Sequence, residues 1–531
     1  MCKNLIIEKL HNIGIFGNMI AFISNFLRER KFSCIVGNHI SEEYSLENGV
    51  PQGSVISVTL FLLAINDIVK NTTKDVHALL YADDLVIYTT GKSPSKMCNK
   101  LQKTINKLAQ WCEKTGFSFN EDKTEALYFS RRSRRHIPNL TLNNKNIRFV
   151  QNYKFLGVIL DSKLNFKNHI TSLKSKTNLK LNIIKILRCQ NFSSNPFCLF
   201  KILKSTILSK LDYASMIYST ASKSLLQKLD PIINTGIRLC IGAFKTSPAD
   251  SLNVISSIPP LHIRRKKLLL NYILKIFAIK KHPLYPKIKS LNLINKFNSK
   301  PLKYQPLYTI GHQEFKKIND IFELDINNFE DITEPTAAPW CFKDIKIDFS
   351  LAYCKKNEIV SDILKSLFLE KIQTKFKNFE LIYTDGSVKE ENSGFGVYHN
   401  NFEIFEKVND FSSIYTAELL AIKSAIENNH KTKSVNNILI ISDSKSALEG
   451  IQDIYSKHPI VIQIRELITE INHINFEFTW VPSHLTILGN DKADQLAKKS
   501  LEIKNVGEYF YQYLDFKNIH IVYGKMNGKK K

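Results

Sequence analysis

Two apolar runs in the last third of this 531-residue chain each lead into a carboxylate, and no other feature of the sequence restricts the fold as much. Leu381-Ile382-Tyr383 precedes Asp385-Gly386-Ser387, and Ile438-Leu439-Ile440-Ile441 precedes Asp443-Ser444. Short apolar runs bounded by small polar residues predict strands, so each strand is expected to finish on an acidic group, where ligands collect in sheets of this kind. Between them, Glu418 shares a helical face with Tyr415, Leu419, Ile422 and Ile426, which aims its carboxylate at the core. An isolated buried charge is costly, and metal coordination is the usual compensation. With Asp494 further along, the set suits two Mg²⁺ ions roughly 4 Å apart, clamping both oxygens of a phosphoryl displacement.

The charge balance names a partner class. Lys plus Arg total 74 against 49 Asp plus Glu, a formal net charge of +25 spread along the chain. With 44% hydrophobic and 11% aromatic residues the chain folds rather than staying disordered, so the excess sits on folded surfaces that suit a polyanion such as nucleic acid. A generic basic surface is the alternative. The nine cysteines include no Cys-x-x-Cys pair, which argues against a disulfide framework and a zinc finger and for reduced intracellular thiols. The longest apolar run, Leu60 to Ile65, is far below the roughly 20 residues of a spanning helix, so no membrane partner is expected. At this length two to four domains are expected.

The first region, 1–165, is expected to be α+β. A strand pattern around Phe32 to Val36 is followed by the turn chemistry of Gly49-Val50-Pro51-Gln52-Gly53-Ser54 and an apolar helix from Val55 to Ile68. Ala78 to Ala82 and Leu85 to Tyr88 flank Asp83-Asp84 as a hairpin with two carboxylates at its tip. Leu101, Ile105, Leu108 and Cys112 mark an amphipathic helix that Gly116 terminates, and Ala126 to Phe129 and Phe155 to Leu160 read as further strands. Trp111, at helical spacing from Leu108, belongs to packing rather than to a base-stacking platform. Arg131, Arg132, Arg134 and Arg135 form either a solvated loop or a phosphate contact. From 166 to 375 the pattern is helical and basic, with no catalytic constellation. The segment 504–531 reads as a basic tail, solvated at its cationic end Lys529-Lys530-Lys531.

The order strand, strand, strand, helix, strand from Leu381 to Ser442, then a strand ending at Trp480-Val481-Pro482, Ser483-His484, a Gly489 turn and a helix with Asp491 and Asp494, resembles the type 1 ribonuclease H family over 376–503. The resemblance rests on Thr384-Asp385-Gly386-Ser387, Ala417-Glu418-Leu419, Ser442-Asp443-Ser444 and Gly489-Asn490-Asp491-Lys492-Ala493-Asp494 in that order. It implies a mixed five-stranded sheet flanked by helices. It also implies that Asp385, Glu418, Asp443 and Asp494 bind two Mg²⁺ ions for attack of water on the RNA strand of an RNA/DNA hybrid, with His484 assisting turnover. Asp491 stays outside the metal set, since acidic residues favour a helix's first turn through its dipole alone.

Gly49 to Ser54, then Asp83-Asp84, Lys123-Thr124 and Phe155-Leu156-Gly157-Val158 resemble the palm of reverse transcriptases, specifically those of jockey-type non-LTR retrotransposons. That resemblance places two more Mg²⁺ ions at a complete polymerase site, held by Asp83, Asp84 and a third aspartate on an earlier strand. It sets Gln52 and Gly53 near template and nucleotide, Lys123 near the nucleotide phosphates, and Leu156 and Gly157 at the primer end. RNA template and DNA primer are the implied partners and the nucleus the implied location. The chain departs from the family pattern in having no Asp before Asp67. It is therefore read as the carboxy-terminal part of an element polyprotein, lacking a palm strand and the amino-terminal endonuclease, with 166–375 as thumb and connection. Polymerisation is expected to be impaired and hybrid cleavage retained. The rival reading is a retroelement remnant that binds nucleic acid without catalysis.

Overall fold

The computed structural model describes residues 2–130, 137–188, 194–290, 294–296, 305–322, 324, 326–332, 335–353, 361–429, 436–483, 485–503, 507 and 509–518. The chain divides into two compact units, Met1–Ser172 and Leu173–Lys531. Both mix helices and strands, as the α+β reading requires. Among the described residues no helix is long and apolar enough to cross a membrane.

In the first unit α1 (Lys3–Asn12), α2 (Asn18–Leu27) and α3 (Val55–Ile65) share a small core of Ile6, Leu10, Ile23, Leu27, Leu60 and Ala64. The pattern read as one strand around Phe32 to Val36 is two short pieces, Lys31–Phe32 and Ile35–Val36, that pair with different partners. The hairpin of β1 (His77–Tyr81) and β2 (Asp84–Tyr88) is present, closed at Tyr81 opposite Asp84. α4 (Pro94–Thr115) starts with proline in its first turn and stops at Gly116, whose φ of 70° admits no side chain without strain. The run Phe155 to Leu160 is not one strand. β3 (Asn152–Phe155) and β4 (Val158–Asp161) form an antiparallel hairpin around Leu156 and Gly157, both with positive φ, the conformation of a tight two-residue turn.

In the second unit α5 (Leu261–Phe277) and α6 (Leu307–Phe322) pack through Leu269, Ile273, Phe277, Ile310, Phe315 and Ile318. Beyond them lies a mixed sheet of β5 (Lys346–Asp348), β6 (Glu380–Lys389), β7 (Asn392–His399), β8 (Phe402–Val408), β9 (Asn437–Ser442) and β10 (Asn475–Trp480), in spatial order β5-β10-β9-β6-β7-β8. The β6, β7 and β8 ladder is antiparallel, and the pairs β6–β9, β9–β10 and β5–β10 are parallel. Both faces are covered, which is why Ile438 to Ile441 reads as a continuous apolar run. Ile438 and Ile440 join the core under α8 (Ile414–Glu427), α9 (Lys445–Gln452) and α10 (Pro459–Glu470), whereas Leu439 and Ile441 join Leu364 and Phe368 of α7 (Ser361–Thr374).

The expected five strands are six. β5 joins from the segment assigned to the connection, pairing in parallel with Glu477 to Thr479, and Lys371 and Lys375 hold its Asp348 at 2.7 and 2.8 Å. Within the segment read as a basic tail, residues 509–518 are packed, and the cationic end Lys529-Lys530-Lys531 lies outside the described residues. Phe516 lies within the α5–α6 core and Tyr509 packs edge-on against Phe395 of β7.

Candidate active site

Asp385 does not end its strand as the sequence suggested. β6 loses its parallel partner at Thr384 opposite Ser442 but keeps its antiparallel partner as far as Lys389 opposite Asn392. The carboxylate thus sits in mid-strand where the sheet splits, one position past the last β6–β9 pair. Asp443 is the first residue after β9, at the same split. Glu418 comes from α8, capped by the Ser413 side chain on the Thr416 N–H. Oxygens of Asp385, Glu418 and Asp443 lie within 4.8 Å of one another, the only such convergence of three or more acidic, His or Cys groups among the described residues.

Glycine makes the approach possible. A Cβ on Gly386 would meet the Glu418 backbone nitrogen at 2.9 Å and its Cγ at 3.1 Å, so any side chain there would push α8 off the strand. Asp385 and Glu418 are 7% and 5% exposed, while Asp443 is half-buried. Burial first, and then the neighbouring Asp443 and Asp494, push the Asp385 carboxyl up to about 8. Burial and the charges of Asp385 and Asp443 likewise raise Glu418 well above its ordinary value. The Gly386 N–H opposes both shifts by donating to each carboxylate, but it does not offset the crowding. One Glu418 oxygen, Oε2, is buried and has no hydrogen-bond partner. Three crowded carboxyl groups, one with an orphaned oxygen, are a donor set suited to a cation. Hard divalent ions with oxygen preference fit it.

The fourth predicted residue, Asp494, is carried by α11 (Leu488–Ser500). It lies outside the 4.8 Å group, and its Oδ2 accepts from Lys498 Nζ at 2.6 Å, yet its charge is among those that raise Asp385. Gly489 is no turn: it lies in the first turn of α11, where a Cβ would enter the Tyr383 ring at 2.2 Å. His484 lies outside the described residues, as do Arg131, Arg132, Arg134 and Arg135.

Three contributors were not found from the sequence. Trp480 donates its indole N–H to the Asp443 carbonyl at 2.9 Å and so fixes the chain at that carboxylate. Gly396 leaves room for the backbone of Ala493 and Ala497, at 2.4 and 2.5 Å from where its Cβ would be. Lys498 supplies the cation at Asp494. The available signal was the alternation Gly394, Gly396 against the i, i+4 pair Ala493, Ala497, two small-residue faces that allow a helix and a strand to close.

In the first unit Asp83 lies in the exposed turn between β1 and β2, and Asp84 opens β2. Among the described residues no third acidic group joins them within the same distance limit. Gln52 and Gly53 occupy the exposed loop ahead of α3, Lys123 the exposed turn after α4, and Leu156 and Gly157 the tip of the β3–β4 hairpin.

Residues 377–502 match the family model described as RNase H, and residues 4–160 that of the reverse transcriptase (RNA-dependent DNA polymerase). The chain thus carries segments of both enzyme families. Its curated relatives are RNA-directed DNA polymerases and related proteins of mobile elements. It is 31% identical over 227 residues to the RNA-directed DNA polymerase from mobile element jockey of Drosophila melanogaster, an alignment covering 42% of this chain and 25% of that protein. A 24% identity over 224 residues, 41% of this chain and 24% of the relative, links it to the probable RNA-directed DNA polymerase from transposon X-element of the same organism. The chain spans about a quarter of the length of the jockey and X-element relatives. Among solved structures, RNase H1 from Halobacterium salinarum NRC-1 is 18% identical, covering 23% of this chain and 97% of that one, with a TM-score of 0.19.

Proposed function

We propose that the second unit hydrolyses the RNA strand of RNA/DNA hybrids at the Asp385, Glu418, Asp443 and Asp494 pocket. The observation that carries this reading is the convergence of three carboxylates, two of them buried, with an orphaned Glu418 oxygen. These four residues would hold two Mg²⁺ ions, which supply a water of lowered pKa and positive charge at the scissile phosphate. The chain's own groups do the rest. Gly386 donates its N–H to the inner carboxylates and keeps them oriented, Trp480 fixes the backbone at Asp443, and Lys498 holds Asp494 until the site is loaded. His484, by its place in the motif, moves a proton or helps the cut product leave. The net charge of +25 draws the polyanionic substrate to the surface.

The first unit is proposed to engage RNA template and DNA primer through Gln52, Gly53, Lys123, Leu156 and Gly157, with Asp83 and Asp84 as two of the three carboxylates a polymerase site needs. Because no third acidic group joins that pair among the described residues, primer extension by this chain is proposed to be impaired. Work on chromosomal DNA would place the protein in the nucleus.

A labelled RNA/DNA hybrid tests the proposal. The chain with Mg²⁺ cuts the RNA strand, and Asp443→Asn abolishes the cut while hybrid binding persists. Salt-sensitive binding with no cleavage by the unaltered chain would favour a binding remnant and end the proposal.

A further inference from the structure

The RNase H family match stops at residue 502, yet described residues beyond it, 507 and 509–518, return to the sheet. Gly507 donates to the Lys407 carbonyl at 3.0 Å, Asn409 donates its amide to the Tyr509 carbonyl, and the Tyr509 hydroxyl donates to Glu406. The segment then crosses to the helical part of the unit. There Tyr511 exchanges backbone hydrogen bonds with Asn328 and Glu330 at 2.6 and 3.0 Å, and Phe516 packs tilted against Phe329 and edge-on against Tyr511. Between Tyr511 and Phe516 the chain delivers one carboxylate, Asp515, to the start of α8. The Thr416 hydroxyl, 1% exposed, donates to Asp515 Oδ1 and Oδ2 at 2.9 and 3.0 Å. The Ser413 side chain, the cap of the same helix, accepts from the Thr416 N–H and donates to the Thr416 hydroxyl at 3.1 Å, so the cap and Asp515 meet at one side chain. A carboxylate at a helix's amino-terminal end is favoured by the helix dipole and by the unpaired N–H groups there.

Thr416 is two residues ahead of Glu418, and Ala417 between them presses on the strand at Gly386. The first turn of α8 is therefore held on one side by β6 and on the other by Asp515. We propose that Asp515 is a positioning residue for the acidic pocket: by accepting from Thr416 it fixes the first turn of α8, and through that turn the Glu418 carboxylate. The inference rests on the hybrid-cleavage reading of the pocket, and it makes the post-502 segment part of the working site. Burial raises the Asp515 carboxyl to about 6 despite the Thr416 donor, which shows how far the contact is shielded from water.

The test uses the full chain. Asp515→Ala should lower kcat on a labelled hybrid about tenfold, since small misplacements of a reacting group are costly. KM should stay within twofold, and the Mg²⁺ concentration giving half-maximal rate should rise. Hydrogen exchange at residues 414–418 should accelerate. Thr416→Val, which removes the donor and spares the carboxylate, should act alike, and Thr416→Ser should restore kcat. Should Asp515→Ala not fold, the Thr416 pair decides. A loss of melting temperature with kcat and Mg²⁺ dependence unchanged would overturn the proposal, as would Thr416→Val behaving like the unaltered chain. If the unaltered chain does not cut hybrid, the functional reading fails by itself. Exchange at 414–418 then still decides the positioning role: faster exchange in Asp515→Ala supports it and unchanged exchange overturns it.

Discussion

Asp385 and Gly396 are direct partners across the β6–β7 ladder, and the face they share is the one α11 lies on. The bare Cα of Gly396 lets the α11 backbone descend, and that descent brings Asp494 close enough for its charge to act on Asp385. Gly396→Ala would place a methyl 2.4 Å from the Ala493 carbonyl and 2.5 Å from the Ala497 nitrogen, neither of which can rotate away. We expect a loss of about 2 kcal/mol in urea unfolding and a drop of about tenfold in cleavage as Asp494 retreats. Gly394→Ala meets the Ser500 hydroxyl, which can rotate, and beyond it the Ser500 Cβ at 2.9 Å and the Glu406 carbonyl at 3.0 Å, looser than the contacts at Gly396, so it should cost less.

The crowded carboxylates give the metal-free protein a defined pH dependence. Asp385 and Glu418 have folded-state pKa values above their unfolded ones, so above the ordinary carboxylate range the folded state binds more protons than the unfolded state. The stability these two contribute therefore falls as pH rises, from about 4, where unfolded carboxyls ionise, toward the Asp385 value of about 8. His458, His262, His282 and His312, whose pKa values burial lowers, act in the opposite sense below about pH 6.5, so melting temperature in EDTA should decline between about pH 6.5 and 8 and Mg²⁺ should flatten that decline. Glu418→Gln removes one of the two groups, so in EDTA at pH 8 it should melt at least about 2–4 °C higher, equivalent to about 1 kcal/mol, while losing cleavage. A melting temperature in EDTA that rises with pH between those two values would contradict this account.

Trp480 reaches the site through a single hydrogen bond, its indole N–H to the Asp443 carbonyl. Trp480→Phe keeps an aromatic ring for packing and deletes the donor. The expected cost is about 1 kcal/mol in stability and a several-fold fall in kcat, read by thermal melts and single-turnover cleavage. Rates equal to the unaltered chain would mean that Asp443 is held without it.

How much of this was legible in the residues depended on whether a signal was local. Glu418 could be placed from its own helix, because an acidic residue on an apolar stripe at three and four spacing has only the core to face. Asp443 could be placed because β9 ends where its apolar run ends. Asp385 could not be set in mid-strand, since the two edges of β6 lose their partners at different residues and only pairing reveals that. β5 has a single apolar residue, Ile347, and owes its strand character to Glu477 through Thr479 and to the lysines that hold Asp348. The Leu156-Gly157 turn was hidden because apolar residues run through it. The role of Asp515 was invisible for the same reason as β5: its partner Thr416 is 99 residues away in the chain.

Lys498 bears on how the pocket accepts its cations. Its ammonium lies one helical turn from Asp494, 2.6 Å from Oδ2, and the pair is largely solvent-exposed, at 63% and 37%. Exposed pairs one turn apart on a helix contribute little to stability, so the pair should matter less to the fold than to ligand competition. As long as Lys498 occupies Asp494, a divalent ion must displace it to gain the fourth carboxylate. Lys498→Gln should therefore leave the melting temperature nearly unchanged and lower the Mg²⁺ concentration for half-maximal cleavage by about twofold to threefold, within the range such pairs span. Titrating Mg²⁺ at fixed ionic strength separates this from a general loss of positive charge, which would instead raise KM for the hybrid and steepen with salt. A higher Mg²⁺ requirement in Lys498→Gln would show that the ammonium assists the loaded site rather than competing with its cations.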